Sequence, residues 1–337
     1  MAAAPGQEFV ELLAVARGYQ QSRALTVAAE LGIADLLRDG PVPVDELAVA
    51  TNTNAEALYR LLRALASIDV FDEQPDRSFG LTPMGEYLRS DHPLTVGPVA
   101  RMFGAEYEWK AWGALPHAVR TGENAAVQAL GVDVWEYRRQ HPDDNLVFDA
   151  AMRTFSSGDG AALGEAYDFG RHRMIADIGG GTGAALAAIL RQFTTVRGLL
   201  FDQPQVVANA AQLFEGTDLA ERVEIVPGDF FESVPSADAY MLRRVLHDWR
   251  DAEAIRILQC IRRAITDDGC LLVLDAVVDP PNKGAAVKFL DLMMLVSAGG
   301  QERTEPEWRL LLAAGGFDLT SATRATPNLH VIEASPR

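Results

Sequence analysis

Three acids, a run of glycines and one histidine stand where they could do chemistry. The glycines fall in residues 175–190, IADIGGGTGAALAAIL. The stretch fits G-x-G-x-x-G/A through Gly179, Gly181 and Ala184, and also D-x-G-x-G-x-G from Asp177 to Gly183. The first pattern carries a dinucleotide; the second suits S-adenosylmethionine, which has no phosphate. The glycines leave both readings open, because they only let the chain turn sharply and let a ligand approach the backbone. Unpaired N–H groups at the start of the next helix serve a pyrophosphate or a carboxylate equally well. The acids tilt the choice. Asp177, directly before the glycines, would repel a pyrophosphate and suits an ammonium. Asp202, in GLLFDQP, suits a ribose diol with either ligand. In GDFF, Asp229 can accept from an adenine amine while Phe230 packs on the ring. Taken alone, Asp229 reads equally as a turn or cap acid.

The histidine is His247, in MLRRVLHDWRD. It falls just past the C-terminal end of an expected parallel strand, where open α/β sheets bind their ligands. Imidazole there could move a proton near neutral pH. His92, His117, His141 and His172 lie in polar or turn-like surroundings and read as surface residues, and His330, in the last strand, reads as structural.

These residues need a scaffold, and the hydrophobic pattern predicts one. From residue 173 strands and helices alternate: strands over 174–178, 198–201, 223–226, 239–242 and 271–277, helices over 184–193, 206–214, 252–265 and 305–314. That alternation predicts an α/β, Rossmann-like doubly wound sheet with helices on both faces. A closing hairpin, 317–324 with 330–334, would add an antiparallel last strand. The first ~100 residues read as mainly helical. Phe9, Leu12, Leu13 and Ala16 sit at helical spacing, as do Leu25, Ala28, Ala29 and Leu36, with Gly32 inside the run. Helices over 44–50 and 55–68, a turn over 51–54 and short strands over 70–71 and 78–82 make a winged helix. The expected division is 1–100 for that domain, 101–172 for a helical linker rich in large side chains, and 173–337 for the ligand-binding domain.

Bulk properties exclude several roles. The 337 residues suffice for two domains. The net charge of −17 repels a polyanion such as DNA, and the would-be recognition helix offers few cations beyond Arg60 and Arg63. A buried or partner-facing role suits that helix better. No apolar run of membrane-spanning length occurs, and the N-terminus lacks the basic start and cleavage pattern of a signal peptide. Cys260 and Cys270 have no metal-binding or redox spacing. The expected location is the cytoplasm, with no nucleic-acid or membrane partner and no metal.

The order DIGGGTG, FDQP, GDFF, LHDW and GGQERT resembles the plant-type and antibiotic-type O-methyltransferases that use S-adenosylmethionine, over nearly the whole chain. The resemblance implies a homodimer built by the winged-helix region, with S-adenosylhomocysteine as product and a small aromatic secondary metabolite as acceptor. It implies His247 as general base, oriented by Asp275 and Glu302. Asp275 departs from the glutamate common in plant members. Glu302, near the Thr304–Glu307 pair, also reads as a helix N-terminal acid. For the cofactor it implies Gly179 and Gly181 at the methionine end, Ser156 at its carboxylate and Asp202 at the ribose. Asp229, Phe230, Arg243 and Trp249 would surround the adenine. Phe148, Met152, Phe155 and Met294 match acceptor-pocket positions.

Methyl transfer to a phenol asks for alignment and a base. A phenol near pKa 10 outranks a histidine near 6.5 by about 3–4 units, roughly 5 kcal/mol, so proton loss is expected to be concerted with methyl transfer. N- or C-methylation, a relative that binds the cofactor without transferring methyl, and a ligand-sensing DNA-binding protein are the rival readings.

Overall fold

The computed structural model describes residues 6–208 and 210–337, without the side chains of residues 156–158. The chain forms two compact units. One comprises Met1–Trp109 with His141–Thr154, the other Lys110–Gln140 with Phe155–Arg337.

In the first unit, the helix Gln7–Glu30 ends where Gly32 adopts a left-handed φ of 64°, so Leu36 falls on a separate short helix, Ile33–Leu36, and not on a continuation of the first. The helices Val44–Thr51 and Ala55–Ala66 follow, the second capped by Asn54, whose side chain accepts from the Ala57 N–H at 2.9 Å. Leu58, Leu62 and Leu65 bury its inner face. Strands β1 (Val42–Pro43), β2 (Phe71–Glu73) and β3 (Ser78–Leu81) pair antiparallel in the order β1-β3-β2. Helix-turn-helix and wing are both present, and β1 is an extra two-residue strand. Phe71, Phe79, Ile33 and Leu37 close the core beneath them.

The second unit holds β4 (Met174–Ile178), β5 (Arg197–Asp202), β6 (Val223–Pro227), β7 (Ala239–Arg243), β8 (Cys270–Asp275), β9 (Phe317–Thr326) and β10 (Leu329–Pro336). They form one sheet in the order β6-β5-β4-β7-β8-β10-β9. All pairings from β6 to β8 are parallel; β10 enters antiparallel between β8 and β9. The near-continuous apolar runs of β4, β5, β7 and β8 follow from burial on both faces. One core layer contains Leu242, Leu258 and Trp308; the other contains Leu186, Leu190 and Leu274. The expected doubly wound sheet with an antiparallel last strand is therefore observed. Chain order reverses between β4 and β7, the switch point where such sheets bind ligands beyond their strand ends.

Two further elements depart from the sequence reading. The expected helix over 206–214 is realised as Pro204–Val207 and Ala211–Phe214. The helix Ala285–Val296, carrying Asp291 and Met294, was not anticipated. Its AAVKFLDLMMLV run is apolar almost all round, so it lacks the one-sided periodicity that marks an amphipathic helix.

Candidate active site

Three neighbouring pieces of chain in the second unit bring a histidine and its acids together. Beyond β7, Arg244 takes a left-handed φ of 51° and the chain enters a single 3-10 turn, Leu246–Asp248, that carries His247. Asp275 ends β8, the parallel neighbour of β7. Glu302 lies in the segment between the helix Ala285–Val296 and the helix Glu305–Gly315. His247 Nδ1 is 2.7 Å from Glu302 Oε1 and 3.4 Å from Asp275 Oδ1. On the other side of the ring, Nε2 lies 3.6 Å from Asp248 Oδ1. His247, Asp275 and Glu302 are all buried.

Electrostatics follow from that crowding. Burial alone pushes the imidazole pKa down, but Asp275, Asp248 and Glu302 together overcome it and raise it to about 10. Burial likewise raises Asp248 to about 6 against the pull of His247, and raises Glu302. Asp275 Oδ2 and Glu302 Oε2 have no hydrogen-bond partner among the described residues. The cluster thus keeps acceptor capacity in reserve. One ligand atom from each of His247, Asp275 and Glu302 also lies within 4.8 Å of the others, a grouping that could hold a metal ion. The short Nδ1–Glu302 contact needs no ion to explain it, since it is a charge-assisted hydrogen bond.

The glycine turn lies at the ends of β4 and β5. Gly179, Gly181 and Gly183 all have φ between 61° and 83°, conformations that a side chain disfavours. A Cβ at Gly180 would sit 2.6 Å from the Asp177 carboxyl carbon, which places that carboxyl beneath the turn. Asp177 is 1% exposed, and neither of its oxygens has a hydrogen-bond partner among the described residues. Burial raises it to about 7, with Arg243 opposing and Asp202 assisting. Asp202 accepts from the Gly181 N–H at 2.8 Å and the Gln203 N–H at 2.6 Å, which fastens the turn to the end of β5. Phe230 approaches the same turn, since a Cβ at Gly179 would lie 3.5 Å from its ring. Phe230, Phe231 and Trp249 pack edge to face, with centroids 4.9–6.1 Å apart.

Comparison with known proteins decides what this arrangement belongs to. An O-methyltransferase domain matches residues 112–318, and an O-methyltransferase dimerisation domain matches residues 13–91. The chain belongs to the O-methyltransferase family. It is similar to the phenazine O-methyltransferase PhzM of Lysobacter antibioticus, at 41% identity over 326 residues, 96% of this chain and 95% of that protein. It is also similar to the 8-amino-8-demethylriboflavin N,N-dimethyltransferase of Streptomyces davaonensis, at 40% over 337 residues, 97% of this chain and 96% of that one. Human N-acetylserotonin methyltransferase, solved in complex with S-adenosylmethionine, superposes with a TM-score of 0.92 at 28% identity, covering 100% of this chain and 99% of that one. The cofactor that the sequence predicts for this O-methyltransferase, S-adenosylmethionine, is the one bound in that human structure.

The residues present fit that cofactor. An orphaned, buried carboxylate at Asp177 beneath a glycine turn answers an ammonium and not a phosphate. Asp229 is exposed, and its Oδ1 accepts from the Phe231 N–H at 2.8 Å, so it also acts as a turn acid. Arg243, at the end of β7, donates to Asp159 Oδ2 at 2.6 Å and to the Phe155 carbonyl at 3.3 Å. Phe148 and Met152 belong to the first unit, Phe155 and Met294 to the second. Phe155 is 37% exposed, whereas Met294 is buried. The side chain of Ser156 lies outside the described residues. Within the O-methyltransferase's second unit, the turn, Phe230 and Trp249 come together, and His247, Asp275 and Glu302 form a second grouping.

Several residues of this O-methyltransferase escaped the sequence reading. Asp291 Oδ1 accepts from the Glu302 N–H at 2.8 Å and so fixes the backbone of that acid. Asp248 crowds the second imidazole nitrogen. Arg303 is 1% exposed. The capping role considered for Glu302 falls to Thr304 and Glu307, which complete a capping box.

Proposed function

We propose that this O-methyltransferase methylates a phenol-type hydroxyl of a small aromatic acceptor, with His247 as the general base. The observation that carries the reading is the 2.7 Å contact between His247 Nδ1 and a fully buried Glu302 carboxylate. That contact fixes the proton on Nδ1 in the neutral ring and leaves Nε2 to act. When bound, S-adenosylmethionine supplies a methyl group on a sulfonium, an electrophile that needs alignment more than activation. As the acceptor oxygen takes the methyl, its proton passes to Nε2, and the resulting imidazolium is stabilised by Glu302, Asp275 and Asp248. Those acids also raise the base strength of the neutral ring. A conjugate acid near 10 matches a phenol near 10, but the ring is then mostly protonated at neutral pH, so turnover should climb as pH rises toward that value.

In this reading Asp177 meets the methionine ammonium, and Gly179 and Gly181 let the backbone approach it. Ser156 serves the methionine carboxylate and Asp202 the ribose. Phe230 and Trp249 flank the adenine, with Asp229 and Arg243 at its rim. Within the second unit, Phe155 and Met294 serve the acceptor. The protein works in the cytoplasm as a homodimer joined through its dimerisation domain, without nucleic acid. An aromatic acceptor is in keeping with the phenazine and N-acetylserotonin named for its relatives.

The test is turnover of a phenol, naphthoate and quinone panel with labelled S-adenosylmethionine. His247→Ala should keep cofactor affinity within about twofold while kcat on the best acceptor falls on the order of 100-fold or more. Calorimetry and single-turnover rates read the two effects, and undiminished turnover would remove the base.

A further inference from the structure

The turn that carries His247 has no regular element to hold it. It is one 3-10 turn, Leu246–Asp248, between the end of β7 and the helix Asp251–Ala264. Its backbone is held from outside, by Gln301-Glu302-Arg303. The Gln301 N–H donates to the His247 carbonyl at 2.9 Å. Arg303 Nη1 donates to the Leu246 carbonyl at 3.0 Å, and Nη2 to the Trp249 carbonyl at 2.9 Å. The remaining donors of the guanidinium reach Asp251 Oδ1, from Nε at 3.1 Å and Nη2 at 2.8 Å, and the Gln301 carbonyl at 3.4 Å. A guanidinium has five N–H donors in a rigid fork, and five bonds are made here. Its Cζ also lies over the Trp308 ring, 5.3 Å from the centroid.

A buried cation held mainly by backbone carbonyls is costly unless something needs that geometry. What it fixes is the turn beneath the imidazole. Meanwhile its neighbour Glu302 fixes the imidazole itself. One tripeptide thus grips the histidine twice, by side chain and by backbone. The register between the two grips is set where Arg303 bridges Val277 and its carbonyl accepts from the Val278 N–H at 2.9 Å.

We propose that Arg303 is a positioning residue for His247: its guanidinium locks the 246–249 backbone so that the ring meets Glu302 and the acceptor in one geometry. The inference rests on His247 being the base. A lysine would keep the charge but could not span Leu246, Trp249 and Asp251 at once.

The experiment uses the full-length enzyme with Arg303→Lys, Asp251→Asn, His247→Ala and the double variant Arg303→Lys/His247→Ala. Arg303→Lys should bind S-adenosylmethionine as tightly as wild type, by calorimetry, with kcat lowered about 10- to 100-fold, the scale of a misplacement of about 1 Å. A loosened Glu302 contact stabilises the imidazolium less, so the rise of kcat with pH should move down by about one unit. Asp251→Asn keeps the arginine but weakens its anchor, and should shift both readouts in the same direction by less; it decides the matter alone if Arg303→Lys does not fold. Placed on His247→Ala, Arg303→Lys should change residual turnover less than twofold. Wild-type kcat and pH profile in folded Arg303→Lys, or in Asp251→Asn where only that variant folds, would overturn the proposal. So would losses that multiply in the double variant. If His247→Ala itself turns over normally, the base reading falls first and takes this inference with it. A slow His247→Ala beside a normal Arg303→Lys sinks the inference alone.

Discussion

Two buried groups give this enzyme separate pH signatures, because each sits against a different kind of neighbour. His247 is ringed by three carboxylates and holds its proton up to about 10. A histidine whose folded pKa exceeds its unfolded value near 6.5 adds stability that is full below that unfolded value and fades as pH climbs through the folded one. The cofactor-free enzyme should therefore lose melting temperature between pH 7 and 10, and His247→Gln should flatten that decline; identical slopes would contradict the raised pKa. Asp177 lies in the opposite situation, buried without a partner and raised to about 7. Its ionised form is disfavoured in the fold, so the cost sets in above about pH 4 and is complete by about 7. A cofactor ammonium would favour the ionised form. S-adenosylmethionine should then bind more tightly at pH 8 than at pH 6, with proton release at pH 6 seen by calorimetry in two buffers. Asp177→Asn should weaken binding at pH 8 and abolish the release. A variant with unchanged affinity and proton release would place the ammonium elsewhere.

At the scale of elements, the loop before the helix Glu305–Gly315 does more than connect. Gly300 touches the histidine turn so closely that a Cβ there would lie 2.0 Å from the His247 carbonyl oxygen. The obstruction is backbone, which cannot rotate aside. Gly300→Ala should cost about 1–3 kcal/mol of stability by overpacking and lower kcat as the turn is displaced. Denaturant melts and turnover at saturating acceptor check it, and a silent variant would mean that the loop stands off the turn in solution. Much of this level was legible in the sequence. Strands β4, β5, β7 and β8 announced themselves as apolar runs flanked by Gly or Asp, and His247 was found because the strand before it could be seen to end. The motif GGQERT pointed to Glu302 but not to Arg303. A buried arginine looks like any surface arginine until the carbonyls that surround it are known, and two of those come from residues more than fifty positions earlier. The helix Ala285–Val296 was missed for a related reason: it is apolar on nearly every side, so periodicity had nothing to detect.

For the whole molecule, the exposed apolar residues of the helix Gln7–Glu30 are the leading feature. Phe9, Leu12, Val15 and Tyr19 are 57–75% exposed, more apolar surface than a lone helix would ordinarily leave to water. With the dimerisation domain beginning at residue 13 of the same helix, a second copy of the chain is the expected cover. Leu12→Glu with Val15→Glu should shift the protein from dimer to monomer by light scattering; an unchanged dimer would move the interface to another face. No helix among the described residues is long and apolar enough to cross a membrane.

The place of β10 in the sheet has a consequence for how the chain is made. It is the last of the seven strands to be synthesised, yet it lies inside, between β8 and β9, with His330 opposite Asp275. While the chain emerges from a ribosome, the flank of β8 stays open, with its backbone groups free to pair with a neighbouring chain. The pairing that supports Asp275 can form only after residues 329–336 have emerged. Nascent chains halted before β10 should accordingly be the aggregation-prone species, and cofactor competence should arrive late and all at once instead of growing strand by strand.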